Sequence, residues 1–451
     1  MSEPRRGPLL IAIASGTVLN PLNSSLIAVA LVHVADDFEL SFASVSWMIS
    51  VFYLTSAVGQ PVTGRLGDVL GPRRMFLAGL ALVGLASAAA PLSPNFGTLL
   101  VIRAVQALGS SAIYPSGMAI IQRVVVTGRA RALAVVSVFS SVAAAVGPSL
   151  SGYLVAWGGW EATFLAGLPL VVLSLTLGVV VLPADPPSAA GSTLRRIDLP
   201  GIALFSATLV GALLFLLTLD PEPAWWALAL GVGGAILFVR LEGRVAEPFI
   251  DLRRMRAIPG LVGIYLQYVL VNLVFYAVFF GVPSYLQVAQ GLPVREVGLV
   301  MLAVAGGGVV ATPVAARLIE RFGVRPVLII GATFLTAGAI ALQLITAGLS
   351  SPATAGVLAL VGVSVGFTNL GLQTALYDTV QSDNVGAAAG LFQTSRYLGT
   401  ILSASLLAVL FGEEIDAGSL SQLAWCLTAV SACVLFLDVR ALGWRRTGSS
   451  P

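Results

Sequence analysis

The residues of this sequence that could do chemistry are few, and one short charged stretch, GRLGDVLGPRR beginning at Gly64, holds several of them. Asp68 can accept hydrogen bonds from the unpaired N–H groups at the start of a helix, where the helix dipole is positive. Gly64 and Gly71 allow two helices and a tight turn to approach closely. With Arg73 and Arg74, these residues predict a charged turn in which Asp68 either caps a neighbouring helix or is solvated.

Two arginines lie inside long apolar runs, where a guanidinium is costly unless it faces a partner or a cavity. Arg103 has Gln106 three residues later, on the same face of a helix. Arg396 lies roughly 15 Å inside its run, a depth from which snorkelling is harder. We expect a functional role for Arg103 and a contact of Arg396 with Gln393, a backbone carbonyl, a ligand or the opposite half of the chain. The alternatives are snorkelling for Arg103 and a purely structural contact for Arg396.

Metal, redox and hydrolytic chemistry are not expected. His33 is the only histidine, and the two cysteines, Cys426 and Cys433, both lie in the last apolar run. A metal site or an active site would need a cluster of His, Cys, Asp or Glu at membrane depth, and the sequence offers none. We therefore predict no cofactor, no metal, no enzymatic activity and no nucleic-acid partner. His33, near the outer end of the first run, suits a proton site or is an interfacial side chain.

Composition indicates which elements carry these residues. The chain has 451 residues, of which 57% are hydrophobic and 10% charged, and its mean hydropathy is +0.95. Soluble domains carry about 25% charged residues, and apolar runs of roughly 20 residues can cross a bilayer. The predicted fold class is an all-α polytopic membrane protein. The fourteen predicted spans are 9–32, 44–63, 75–92, 97–121, 132–156, 162–183, 198–219, 224–240, 258–281, 294–316, 326–348, 353–379, 386–411 and 419–440.

The positions of the arginines predict the orientation. All 24 basic residues are arginines, and twenty-one of them lie in cytoplasmic segments if both termini are cytoplasmic. Only Arg295 then lies outside. Because cytoplasmic loops carry an excess of basic residues, we expect a multi-pass protein of the cell (inner or plasma) membrane with both termini in the cytoplasm.

The charged stretch has a second copy in the chain. PVTGRLGDVLGPR (61–73) returns 252 residues later as PVAARLIERFGVR (313–325), with an acid, a glycine and an arginine in register. The repeat predicts an N-terminal six-helix bundle (1–183), a linker insert with two extra spans (184–257) and a C-terminal six-helix bundle with a short tail (258–451). Parallel halves that meet at a central site are a transporter architecture. The second copy contributes Arg317, Glu320, Gly323 and Arg325.

Neutral polar side chains inside the spans are the remaining candidates for ligand contact. A mostly apolar site with a few convergent polar groups suits a small lipophilic compound, although helix packing is the alternative for each residue. A Gly-Pro pair in the fifth span frees a backbone carbonyl and predicts a kink that shapes a gate, or close packing. The candidates for the substrate or proton pathway are Asn23, His33, Arg103, Gln106, Asn272, Asn369, Gln373 and Arg396. The candidates for the kink are Gly147, Pro148 and Gly152.

These motifs resemble the major facilitator superfamily over essentially the whole chain, and within it the fourteen-span drug:proton antiporter branch. GRLGDVLGPRR is similar to the family's loop motif, LVIRAVQALG (100–109) to its fourth-span motif and VGPSLSG (146–152) to its fifth-span antiporter motif. LNSSLIAVAL (22–31) and GLFQTSRYLG (390–399) resemble the first-span and thirteenth-span motifs of the branch. The resemblance implies the major facilitator fold, with two pseudo-symmetric six-helix bundles and two extra central helices.

The same resemblance implies a secondary active transporter that exports small lipophilic compounds, such as drugs, antibiotics or metabolites, by alternating access and proton antiport. It implies that Asp68 belongs to a conformational latch between the halves, and that Arg103 takes part in proton transfer or substrate handling. Asn23 stands where the branch usually has Asp, and a neutral amide cannot carry a proton. Uptake or proton-independent transport therefore stays an alternative, ahead of a membrane-embedded enzyme or a transporter-like sensor. The expected partners are the substrate, protons and the lipid bilayer, with the chain acting as a monomer.

Overall fold

The computed structural model of the protein is built of α-helices. It describes residues 6–45, 47–125, 127–185, 198–218, 223–245, 248–346, 348–381, 384–411 and 415–440. The helices in these ranges are α1 (Arg6–Thr17), α2 (Leu19–Asp37), α3 (Phe42–Val45), α4 (Trp47–Leu70), α5 (Pro72–Ala89), α6 (Phe96–Val124), α7 (Arg129–Gly158), α8 (Glu161–Leu165), α9 (Leu168–Val181), α10 (Leu199–Leu217), α11 (Trp225–Glu242), α12 (Leu252–Ala257), α13 (Leu261–Val288), α14 (Val294–Phe322), α15 (Val324–Thr346), α16 (Ser351–Thr379), α17 (Val385–Phe411) and α18 (Ala417–Arg440).

Each predicted span corresponds to a helix or to a pair of consecutive helices. Twelve helical stretches in the described part of the chain are long and apolar enough to cross a membrane. The two remaining predicted spans are helices as well, α4 with 24 residues and α7 with 30. Part of the polarity of α4 is internal, because Ser56, Gln60 and Thr63 are buried. The chain is therefore a multi-pass membrane protein.

The charged stretch is more helical than its sequence suggests. We expected a turn between the second and third spans, but α4 continues to Leu70 and α5 begins at Pro72, so that Gly71 alone separates them. Gly71 has a φ of 106° and Gly323, in the second copy, a φ of 85°. This backbone conformation is accessible to glycine and unfavourable for other residues. A single glycine thus makes the turn in each copy, and Pro72 suits the first position of α5.

The described residues form two compact units. Unit 1 comprises Met1–Val210, Arg244–Ile250 and Val380–Thr394, and unit 2 comprises Gly211–Gly243, Asp251–Thr379 and Ser395–Pro451, as far as these ranges are described. In unit 1, α4 and α5 both pack on α6, and α1 packs on α9. In unit 2, α14 and α15 both pack on α16, and α13 packs on α18. The same pairings therefore occur in each unit, in agreement with the sequence repeat.

Candidate functional site

Asp68 caps the start of α17, whose first turns, up to Thr394, are distant in sequence but belong to the same unit. Its Oδ1 accepts the backbone N–H of Gly386 and its Oδ2 that of Ala387, both at 2.9 Å. These N–H groups lie in the first turn of α17, where no carbonyl of the helix is available to them. Arg65 donates to Asn384 Oδ1 at 3.4 Å immediately before the helix. Asp68 is thus a helix cap, the first of the two sequence interpretations.

Glycines bring α4 and the first turns of α17 into backbone contact. A Cβ on Gly64 would clash with the carbonyl of Gly386, and a Cβ on Gly390 would clash with the carbonyl of Gln60. One turn further along, Thr394 Oγ1 donates to the carbonyl oxygen of Ala57 at 2.7 Å. This close approach holds the Asp68 carboxylate against the amides that it binds.

The other end of the charged stretch is held by an acid that sequence reasoning missed. The Asp185 carboxylate accepts the backbone N–H of Arg73 at 3.0 Å and that of Arg74 at 2.9 Å, in the first turn of α5. The Arg73 guanidinium donates to the carbonyl oxygen of Val179, near the end of α9, at 2.6 Å. Acidic residues favour helix N-termini, but nothing local to PADPP identifies a helix more than a hundred residues earlier as the partner of Asp185.

The second copy of the charged stretch has a different environment. Arg317, Glu320, Gly323 and Arg325 are all exposed. Ala316 occupies the position that corresponds to Gly64, so the second copy carries a side chain where the first has the glycine of the helix contact. Around Gly323 the described residues leave open space. The acid that corresponds to Asp68 is therefore accessible to solvent.

One contact is nevertheless common to both copies. In unit 2, the Arg325 guanidinium donates to the carbonyl oxygen of Val439 at 2.9 Å, near the end of α18. In unit 1, Arg73 makes the same kind of bond to Val179. In each unit the arginine after the glycine turn binds the last turns of a helix, α9 in unit 1 and α18 in unit 2, where the free carbonyls and the negative end of the dipole attract a cation.

Arg103 lies at the centre of a hydrogen-bonded network in unit 1. It is 1% exposed. Its Nη1 donates to Gln106 Oε1 at 2.6 Å, its Nη2 donates to the carbonyl oxygen of Asn23 at 2.9 Å, and its Cζ lies 4.2 Å from the centroid of the Phe52 ring. Gln106 in turn donates to Ser87 Oγ at 2.8 Å. The snorkelling alternative is wrong, because the guanidinium is buried and bound within the protein.

Asn23 joins this network through its backbone rather than its side chain. It is 3% exposed, and its Nδ2 has no hydrogen-bond partner among the described residues. An unpaired buried amide costs free energy. The Asn23 side chain therefore places an unsatisfied hydrogen-bond donor next to Arg103. His33, ten residues further along α2, is exposed and lies roughly 15 Å away by the rise of a helix.

Arg396 lies in unit 2 with aromatic neighbours. Its Nη2 donates to the Tyr397 hydroxyl at 3.4 Å, and its Cζ lies 5.1 Å from the centroid of that ring. Tyr268 and Tyr276 of α13 are its other electrostatic neighbours. Within the described part of the chain, its Nε has no hydrogen-bond partner. Asn272 lies between the two tyrosines in sequence and donates to the carbonyl oxygen of Tyr268 at 2.7 Å.

The other predicted pathway residues of unit 2 lie on α16. Asn369 and Gln373 are four residues apart and therefore on the same face of the helix. Gln373 is buried, and Asn369 Oδ1 is buried with no hydrogen-bond partner that the described residues supply. Both side chains thus present polar atoms inside unit 2.

The three residues predicted to kink the fifth span have different environments. Gly147 packs against α2, because a Cβ there would clash with the side chain of Ser25. Gly152 is exposed, and no atom of the described residues would contact a Cβ on it, so it makes no close helix contact. The side chain of Pro148 lies outside the described residues. The predicted close packing with α2 is therefore seen at Gly147, and also at Ser151, whose Oγ donates to the carbonyl oxygen of Leu26 at 2.5 Å.

No group of three or more His, Cys, Asp or Glu within the described ranges could hold a metal ion. The sequence analysis did not single out Asp438 in the last turn of α18. It is buried, with a hydrogen bond to Gln267 of α13. Its position near the end of an apolar run could have drawn attention, but its partner lies far away in the sequence.

Comparison with known proteins gives both a family and close relatives. The family model described as the Major Facilitator Superfamily matches residues 13–404. An uncharacterized MFS-type transporter of Bacillus subtilis (strain 168), YwoD, is 42% identical over 451 residues, which span all of both chains. The tetracenomycin C resistance and export protein of Streptomyces glaucescens is 30% identical over 421 residues, which are 91% of this chain and 77% of that protein.

Solved structures with the same architecture are more distant in sequence. The crystal structure of the human organic anion transporter MFSD10 aligns with a TM-score of 0.70 at 16% identity, and covers 96% of this chain and 100% of that one. The proton:xylose symporter XylE aligns with the same TM-score at 12% identity. These likenesses concern the fold, and they confirm the fold class predicted from the sequence.

Proposed function

We propose that the chain, which belongs to the major facilitator superfamily, exports small lipophilic compounds across the cell membrane by alternating access. Membership in this family makes it a transporter rather than an enzyme. The name of a relative 30% identical in sequence includes both resistance and export, which supports the outward direction. The structural observation that carries the proposal is the cap that Asp68 forms on α17.

The cap at Asp68 has the energetics of a reversible contact. Hydrogen bonds to charged groups contribute about 1.5–3 kcal/mol each, so the two bonds of Asp68 contribute about 3–6 kcal/mol, and a ligand that binds one state about 10⁴-fold more tightly shifts a two-state equilibrium by about 5.5 kcal/mol. Two bonds from one carboxylate can therefore hold one state of a carrier and still break when a ligand favours another. We assign the latch to Gly64, Asp68, Gly71, Arg73 and Arg74, with Arg317, Glu320, Gly323 and Arg325 as its second copy.

We further propose that protons drive the export. Asn23 cannot carry a proton, so the carriers lie nearer the ends of the spans. The candidates are His33 on the outside and Asp68 or Asp378 on the inside, with Arg103 shaping the field between them. The alternative is a carrier that works in uptake or without protons, and the observation that favours it is the neutral amide of Asn23 beside the Arg103 network.

The remaining assignments complete the proposed carrier. Residues 1–183 and 258–451 form its two bundles, and 184–257 is the insert. The chain acts as a monomer in the plasma membrane with both termini cytoplasmic. The substrate and proton pathway comprises Asn23, His33, Arg103, Gln106, Asn272, Asn369, Gln373 and Arg396. The gate comprises Gly147, Pro148 and Gly152.

Inverted membrane vesicles test this function, because export from the cell then appears as accumulation inside the vesicle. A panel of lipophilic compounds is offered to vesicles with the protein and to matched vesicles without it, with a proton gradient and after its collapse by an uncoupler. We expect protein-dependent accumulation that stops when the gradient collapses. Accumulation that persists unchanged contradicts proton coupling, and protein-dependent loss of preloaded compound contradicts the export direction.

A further inference from the structure

The charge of Arg396 is not balanced within unit 2. The residue lies eleven positions after the start of α17, or roughly 17 Å along the helix, and it is the single charged residue of that helix; α13 has none. Its electrostatic neighbours in the described part of the chain are Tyr268, Tyr276 and Tyr397, with no carboxylate among them. A guanidinium inside a membrane-spanning helix without a counter-charge is unfavourable, so this half-buried site is incomplete without an anion.

The donors of Arg396 are also largely unused. The one hydrogen bond of its guanidinium to the described residues, which goes to the Tyr397 hydroxyl, is 3.4 Å long, beyond the usual range for an N–H donor. Its Nε is buried, and none of the described residues accepts a hydrogen bond from it. A guanidinium has five N–H groups in a planar fork that matches a carboxylate. The free donors therefore suit a carboxylate from outside the protein.

A glycine on α17 sets the distance between Arg396 and α13. A Cβ on Gly399 would lie 2.5 Å from the carbonyl oxygen of Val269 and 2.8 Å from Cβ of Asn272, so the two helices touch at this glycine. Gly399 is three residues after Arg396 and shares its face of α17. The close approach places the guanidinium beside the tyrosines on either side of Asn272.

The same face of α13 continues as an aromatic surface. Tyr268, Asn272, Tyr276 and Phe280 follow one another at intervals of four residues, which puts them on one side of the helix. The rings of Tyr276 and Phe280 are stacked, with centroids 5.7 Å apart and an interplanar angle of 28°. Flat ring faces next to a cation offer stacking and charge recognition to the same ligand.

We infer that Arg396 and the surface formed by Tyr268, Asn272, Tyr276 and Phe280 bind aromatic carboxylates, that is, planar aromatic compounds with one negative charge. The carboxylate occupies the free side of the guanidinium fork, and the aromatic ring lies against Tyr276 and Phe280. This inference rests on the proposed function as a small-molecule carrier and names a substrate class for it. It predicts that this carrier prefers anionic ligands to cationic ligands of the same size.

Equilibrium binding to the purified full-length protein in lipid nanodiscs tests the inference without any transport step. The probes are 1-naphthoate, the neutral 1-naphthamide and the cationic 1-naphthylmethylammonium, which share one ring system and differ in charge. We expect the wild type to bind naphthoate at least tenfold more tightly than either other probe. We expect Arg396→Gln to lose this preference and Arg396→Lys to keep part of it.

Arg321→Gln is the matched control, because Arg321 is an exposed arginine at the end of α14 in the same unit; it should keep the full preference for naphthoate. The inference is overturned if the wild type shows no such preference, or if Arg396→Gln keeps it. If Arg396→Gln does not fold, the inference is tested by the charge preference of the wild type and of Arg396→Lys alone. It is then overturned if the wild type shows no preference for naphthoate. Failure of the binding test leaves the vesicle assay of export untouched, and a negative vesicle assay does not alter the binding result, so the two proposals fail separately.

Discussion

The two units hold their charged groups in opposite ways. In unit 1, Asp68 and Asp185 cap helices that are distant in sequence, and Arg103 is bound on two sides by Gln106 and the backbone of Asn23. In unit 2, Glu320 is exposed, and the one hydrogen bond that the described residues give the Arg396 guanidinium is 3.4 Å long. The Nε of both arginines lacks a partner among the described residues, so the two sites differ in the hydrogen bonds of the outer guanidinium nitrogens, which are short at Arg103 and long at Arg396.

This difference separates two tasks that charged groups perform in a membrane protein. A charge whose partners all come from the protein stabilises one arrangement of the helices, and its removal leaves buried polar atoms unpaired. A charge with free donors contributes little to stability and can bind a ligand instead. We therefore expect substitutions in unit 1 to change stability or the conformational cycle, and substitutions at Arg396 to change ligand preference.

The largest expected effect comes from replacing Arg103 and Arg396, one at a time, by glutamine. Arg103→Gln removes two hydrogen bonds and the contact with Phe52, and leaves the buried Gln106 Oε1 without the donor that Arg103 supplies. We expect the free energy of unfolding to fall by about 3 kcal/mol, and Arg396→Gln to change it by less than about 1 kcal/mol. Denaturant titration of both variants in mixed micelles measures the difference. Equal losses in the two variants would mean that Arg396 is as firmly bound as Arg103.

The acids of the two repeated stretches give the next largest effect. Asp68→Asn keeps one acceptor but presents an amide NH₂ to the second N–H of α17, so at least one charge-assisted hydrogen bond is lost. We expect transport to fall roughly tenfold, the equivalent of about 1.4 kcal/mol. Glu320→Gln should stay within about twofold of wild type, because Glu320 is exposed. Transport is measured in vesicles matched for protein content, and similar losses in both variants would contradict a special role for the cap.

Copying a feature of unit 2 into unit 1 should give an effect comparable to that of Asp68→Asn. Gly64→Ala introduces the residue that the second copy already has at Ala316, but at Gly64 the methyl group clashes with the backbone of Gly386. Such overpacking costs about 1–3 kcal/mol. Gly306→Ala on α14 is the control, because the described residues leave open space there and alanine is the better helix former. Thermal unfolding should show opposite signs for the two variants, and a neutral Gly64→Ala would disprove the close approach.

The smallest effect concerns a local cap in unit 2. Asp416 Oδ1 accepts the N–H of Ser419 at 2.7 Å, and Ser419 Oγ accepts the N–H of Asp416 at 3.0 Å, at the start of α18. The hydrogen bond from the Ser419 backbone N–H to the carboxylate is the main cause that holds the pKa of Asp416 below its ordinary value of 3.8. The carboxylate therefore contributes stability above pH 3.8, and this contribution is lost as the pH falls through the lower pKa of the folded state.

The variant that tests this pH dependence is Asp416→Asn. It removes the charge but keeps a good helix cap, since asparagine also caps helices well. We expect a small difference in unfolding temperature from wild type at pH 6, which disappears as the pH falls well below 3.8. A difference that grows on acidification would contradict the sign of the pKa shift.

Several features of the site could be predicted from residue types alone. Arg103 and Arg396 stand out because charges are rare in apolar runs, and Asp68 stands out because its stretch is repeated. Their hydrogen-bond partners could not be predicted, because they lie far away in the sequence. Arg103 binds a backbone carbonyl 80 residues earlier, and Asp68 binds backbone N–H groups beginning 318 residues later. Asp185 was missed for the same reason, since its capped helix begins far away in the sequence.

The sequence by itself determined the class of this protein. Its apolar runs specify membrane-spanning helices, because backbone polar groups in lipid must be satisfied within the helix, and its repeated motif specifies the family. Only the tertiary structure decided which charged groups are buried against protein partners and which are exposed to solvent. Asp68 and Glu320 lie in matching motifs, yet their environments depend on whether a glycine lets a distant helix reach the acid. That contact is made by packing between segments far apart in the chain, which local residue patterns do not encode.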